Sequence, residues 1–169
     1  MKRMVGFLAA LMLALGFSLA HAAEKLEGFD LGMTVAEAQK VIQQNKLKQS
    51  EEDTSEKGKL RRLYEGRVLG MDGGELKLLF KDGKLIFIEA ILEGDAPEIQ
   101  KYITQKHAEI EAKYRKLYGD TMESVFPGLQ DWLLPDRLMS LAISRGQDGY
   151  FRLVVSTVRR DPQSMMSGN

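Results

Sequence analysis

Asp82-Gly83 constrains this chain more than any other feature. The dipeptide separates two strand-like runs, Glu75 to Lys81 and Lys84 to Leu92, and Asp-Gly accepts the positive φ that a two-residue primed hairpin turn requires. With a two-residue loop, Phe80 faces Leu85 and Leu78 faces Phe87, so Leu76, Leu78, Phe80, Leu85, Phe87 and Ile91 share one side of a sheet. That side is expected to be core. The same register puts Leu79, Ile86, Ile88 and Leu92 on the reverse side among Lys77, Lys81 and Lys84, a greasier face than water alone would favour. A one-residue slip or a bulge would return these side chains to the core, and the residues leave both arrangements open.

More strands follow the same punctuation. Leu60 to Leu69 precedes the hairpin across Met71-Asp72-Gly73-Gly74, while Asp131 to Leu134, Arg137 to Arg145 and Tyr150 to Val158 are separated by Pro135-Asp136 and Gly146-Gln147-Asp148-Gly149. Two helices are expected between them. Thr34 and Glu37 form a capping box ahead of the apolar stripe Val35, Ala38, Val41 and Ile42, predicting a helix to about Asn45. Asp95-Ala96-Pro97-Glu98 reads as a second capping sequence. Ile99, Ile103, His107, Ile110, Tyr114 and Leu117 then recur at helical spacing up to Gly119, a left-handed cap. The order helix, three strands, helix, three strands predicts an α+β fold, one antiparallel sheet of about six strands with both helices packed on one face.

The first 22 residues have a different character. Lys2 and Arg3, an apolar run from Met4 to Ala20 and the triplet Ala20-His21-Ala22 have the layout of a secretory signal peptide with an A-x-A cleavage box. Cleavage would leave a chain starting at Ala23, exported to the periplasm or beyond, without a membrane anchor. Removing 22 of the 169 residues leaves 147, about one domain. That domain is expected to span 23–160, with a mobile acidic loop at 49–59 and a disordered tail at 161–169. No cysteine is present, so stability is expected from core packing, which fits a bacterial periplasm better than disulfide-rich eukaryotic secretion.

Charge narrows the partners. The leader holds two of the 24 basic residues and none of the 24 acidic ones, so the remaining chain carries 22 basic and 24 acidic side chains, a net −2. Nucleic acid is therefore not an expected partner.

The run Gly28-x-x-Leu31-Gly32-Met33-Thr34 before a helix, the β-meander, Lys116-Leu117-Tyr118-Gly119, Trp132 and the final hairpin resemble the β-lactamase inhibitory protein-like superfamily and the small outer-membrane assembly lipoproteins. The resemblance spans most of Gly28 to Val158. It implies a non-enzymatic protein that binds other proteins through its sheet or loops. The lipoproteins carry a cysteine at the mature N-terminus, so their outer-membrane anchoring does not carry over to this cysteine-free chain.

No catalytic constellation emerges from the residues. His107 is the only histidine after the leader, and with Glu111 one turn away it falls short of a zinc set. No Gly-x-Ser-x-Gly elbow accompanies it. Neither a metal nor a cofactor is expected. The expected function is binding to another envelope protein or a second copy through the open sheet face, with Leu79, Ile86, Ile88, Trp132 and Tyr150 as candidate contacts, core packing being the alternative for Trp132. A carrier of a small apolar ligand is the alternative, and a hydrolase the third reading.

Overall fold

The structure is a computed structural model, described here for residues 24–122, 126–146 and 149–160. The expected leader, the Ala23 start, the tail from Asp161, and Gln147 and Asp148 of the last turn lie outside the described residues.

Helix α1 spans Val35–Gln44. Thr34 Oγ1 accepts from the Glu37 amide at 3.2 Å while the Thr34 amide donates to Glu37 Oε2 at 2.7 Å, a reciprocal cap that satisfies amides with no partner inside the helix. Helix α2 spans Pro97–Tyr118, with Ala96 at its N-cap and no side-chain capping bond. The expected second capping sequence is thus corrected: Pro97 starts the helix with its preset φ, and the Gln100 side chain instead donates to the Asp95 carbonyl at 2.7 Å.

Seven strands form one antiparallel sheet: β1 Lys48–Asp53, β2 Lys59–Val68, β3 Met71–Lys81, β4 Lys84–Gly94, β5 Leu129–Leu133, β6 Arg137–Arg145 and β7 Phe151–Arg159, in the spatial order β1-β2-β3-β4-β7-β6-β5. The fold is α+β, and six expected strands become seven. The added strand, β1, takes up the first half of the expected 49–59 loop and the residue before it. It has no large apolar side chain to bury, yet it pairs with β2 along its backbone and through Arg62–Glu52 and Arg61–Asp53 ion pairs at 2.7 and 3.2 Å. A charged edge of this kind resists pairing with another chain.

The Asp82-Gly83 turn forms as expected, with φ of 51° and 74° and Lys81 opposite Lys84. Phe80 faces Leu85, and then the register shifts: Leu79 faces Phe87 and Leu78 faces Ile88, leaving Ile86 unmatched. This bulge falls where β4 changes its other neighbour. At Leu85, β4 bonds to Gly32 and Met33, whereas from Phe87 onward it pairs with β7. One extra residue exchanges the two faces downstream of it. Ile88 and Leu92 therefore enter the core with no exposed surface, correcting their expected place on the reverse face. Phe87 and Ile91, expected on the core side, turn to the reverse face, where Phe87 is half-buried and Ile91 is buried at 7% exposure.

The core lies between the sheet and the helices. Ala38 and Ile42 of α1 and Ile103, Ile110 and Tyr114 of α2 join one buried cluster with Leu76, Leu78, Ile88, Leu92, Leu141 and Val155 of the sheet. Each large side chain buried there contributes roughly 1.5–3 kcal/mol. Arg137, only 6% exposed, ties the first segment of the domain to β6: Nη1 donates to Asp30 Oδ1 at 2.9 Å and Nη2 to Asp136 Oδ2 at 2.8 Å.

Candidate functional site

The reverse face of the sheet is built by the residues that alternate with the core. Its order follows from the ladder partners. One row runs Leu79, Phe87, Val158, Leu138, Leu133 across β3, β4, β7, β6 and β5. Another runs Ile91, Val154, Ala142, Leu129 across the last four of these strands. Between them lies a polar row, Lys77, Glu89, Ser156, Ser140 and Asp131. The two apolar bands stand four residues apart along each strand, about 13 Å at roughly 3.3 Å per residue.

The polar row satisfies itself. Lys77 Nζ reaches Glu89 Oε1 at 3.0 Å, and Ser140 Oγ donates to Asp131 Oδ1 at 2.5 Å. Lys77 and Glu89 cancel and Asp131, hydrogen-bonded by Ser140, leaves the row one negative charge, flanked on both sides by the wider apolar bands.

Neither band belongs to the buried cluster under the helices. Leu79, Phe87, Ile91, Val154, Val158 and Leu138 are absent from that cluster and from the side chains packed against it. Most of the band is half-buried, and Leu133 at its β5 end is 48% exposed. Met122, 41% exposed, pairs with Asp131 at the same edge, its amide donating to the Asp131 carbonyl at 2.9 Å. The most open apolar surface of the face therefore gathers along β5.

Of the side chains expected as contacts, the fold brings only some together. Leu79 stands in the first apolar band. Ile86 sits in the bulge, half-buried beside it. Ile88 is a core residue, as described above. Trp132 is 2% exposed, correcting its place among surface contacts: it alternates with Asp131 and Leu133 and so faces the helices, where its indole N–H donates to the Gly119 carbonyl at 3.0 Å and its ring meets Tyr114 edge-on with centroids 5.3 Å apart. Tyr150, 43% exposed, lies just before β7 at the end of the sheet and belongs to neither band. Sequence reading missed Phe87, Ile91, Val154, Val158, Leu138 and Leu133. Alternation within β6 and β7 carried a signal for three of them, Leu138, Val154 and Val158.

His107 on α2 is largely buried, with Nδ1 3.9 Å from Glu111 Oε2 and Nε2 without a hydrogen-bond partner. Burial lowers its pKa, and Glu111 opposes that shift only in part. Glu111 is itself held by Arg115, whose Nε donates to Oε1 at 2.9 Å, and its pKa is lowered. Among the described residues no group of three metal-ligating side chains comes together, and no helix is long and apolar enough to cross a membrane.

Comparison with family models, with curated proteins and with solved structures found no match to this chain.

Proposed function

We infer that this chain is an exported, non-enzymatic binding domain of the periplasm, which engages another envelope protein or a second copy of itself through the reverse face of its sheet. One observation carries the reading: two apolar bands cross four and five strands on the side of the sheet away from the helical core, and the longer ends in the exposed Leu133. Surfaces of this kind, apolar bands interleaved with a self-paired polar row, suit a partner that covers area more than a charged substrate that needs focused electrostatics. The leader at 1–22 and the absence of cysteine support the address. The resemblance to the β-lactamase inhibitory protein-like superfamily supports binding over catalysis.

The test is a photo-crosslinking amino acid placed at Phe87, Leu133 or, as control, Thr104 on the exposed side of α2, with adducts read in living cells. Adducts from positions 87 and 133 and none from 104 are expected. Their mass distinguishes a second copy from a different envelope protein, and a 104-only pattern would overturn the reading.

A further inference from the structure

A cavity of about 400 Å³ opens on the other layer of the molecule, between α2, the Leu26–Phe29 segment and the β2–β3 turn. Two primed turns meet at its mouth. Glu27-Gly28 has φ of 54° and 86°, and Leu69-Gly70 has 50° and 85°, so Glu27 and Leu69 both occupy a left-handed conformation that L side chains adopt only at a cost. Contacts hold them there. Leu26 and Phe29 exchange backbone hydrogen bonds of 3.1 and 2.9 Å, the Tyr102 hydroxyl donates to the Leu69 carbonyl at 2.8 Å, and the Leu69 amide donates to the Glu27 carboxylate. A Cβ on Gly70 would lie 2.7 Å from the Tyr102 oxygen, so the backbone passes there with no room for a side chain.

The charges around the cavity are unevenly engaged. Lys106 donates to Glu109 Oε2 at 2.7 Å and Lys113 pairs with Glu24. Lys25 lines the rim but is exposed, where water solvates it. Glu27 is different: half-buried, it accepts from one backbone amide and, among the described residues, forms no contact ion pair, the charge acting on it being that of Lys106, which is bonded to Glu109. A carboxylate has room for about four hydrogen bonds. The walls beside it are Leu26, Ile110, Val155 and the nearly buried ring of Tyr114. A carboxylate beside an aromatic ring and an aliphatic floor matches an organic cation, whose charge is met by the acid and the ring and whose body is met by the floor.

We propose that this cavity binds a small organic cation, an amine with an aliphatic body, with Glu27 as its counter-ion. The site is separate from the reverse face and stands whether or not that face binds protein. Burial of Glu27 raises its pKa, Lys106 and the Leu69 backbone oppose that shift only in part, and a bound ammonium would relieve it further.

The probe is n-butylammonium chloride, with sodium butyrate as the opposite charge, titrated into the ¹⁵N-labelled protein and followed by amide chemical shifts. Saturable shifts at Glu27, Leu69, Gly70 and Ile110 with butylammonium alone are expected, with a Kd on the order of 1 mM for so small a ligand. Glu27→Gln is expected to weaken binding roughly tenfold, the worth of one charge-assisted contact. Lys106→Met, which removes a competing cation from the cavity lining, is expected to tighten it. Saturation by butyrate instead, equal binding by Glu27→Gln, weaker binding by Lys106→Met, or no saturable shift at all would overturn the proposal.

Discussion

Phe87 stands opposite Leu79 across β3 and β4, while its chain neighbour Ile88 stands opposite Leu78 on the far side of the sheet. Phe87 is half-buried on the reverse face, whereas Ile88 has no exposed surface. Adjacent residues of similar character thus stand on opposite faces of the sheet.

That separation predicts opposite outcomes for one substitution at the two positions. Ile88→Asp buries a carboxylate without a partner and is expected to cost more than about 4 kcal/mol, enough to abolish a cooperative urea transition. Phe87→Asp leaves its charge near water and is expected to cost about 1–2 kcal/mol, with the native circular dichroism spectrum retained and the crosslinked adduct lost. Two equally destabilised variants would contradict the register.

Arg137 is a second place where burial decides the outcome. Arg137→Met is expected to lower stability by about 1–3 kcal/mol by releasing Asp30 and Asp136, both of which can solvate once the guanidinium is gone. The hydrogen bond from Arg137 holds the Asp136 carboxyl below the usual range. A depressed acid stabilises the fold above its unfolded value of about 4, and that stability is lost as pH falls through the lower folded value. Urea midpoints measured from pH 5 down to pH 2 should therefore decline less steeply in Arg137→Met than in the wild type.

Trp132 is the only tryptophan, which makes its environment directly readable. Packed on Tyr114 and bonded to Gly119, it is expected to emit at short wavelength, resist acrylamide quenching, and keep both properties when a partner covers the reverse face. Trp132→Phe loses the indole hydrogen bond and packing volume, an expected cost of about 1–3 kcal/mol by thermal unfolding. A red, readily quenched emission that a partner shifts would place the ring on the surface instead.

His107 carries the second pH dependence. Its folded pKa lies below the ordinary 6.5 because burial disfavours the cation. The unfolded chain therefore takes up a proton first, and stability, complete above about pH 6.5, is lost as pH falls from there through the lower folded value. Proton NMR of the imidazole should show a midpoint below 6.5, and His107→Gln should flatten that part of the stability profile.

Much of the fold was legible in local chemistry. The capping box at Thr34, the helical stripe from Ile103 to Tyr114 and the Asp82-Gly83 turn form as their residues dictate. Strand β1 was illegible because its side chains bury almost nothing, and pairing with β2 is a property of the partner. The reverse face was partly legible. Its apolar excess could be seen, but two of its expected members belong to the core, since nothing in the spelling of Lys84 to Leu92 marks Ile86 as the extra residue.

Sequence alone determined both helices, every strand but β1, and the surplus of apolar side chains over what one core side of β3 and β4 can absorb, because these depend on spacing within a few residues. Which of those side chains face outward was decided by tertiary structure. Strand β4 must bond to Gly32 and Met33 at one end and to β7 along the rest, and the bulge that reconciles these two distant neighbours exchanges its faces.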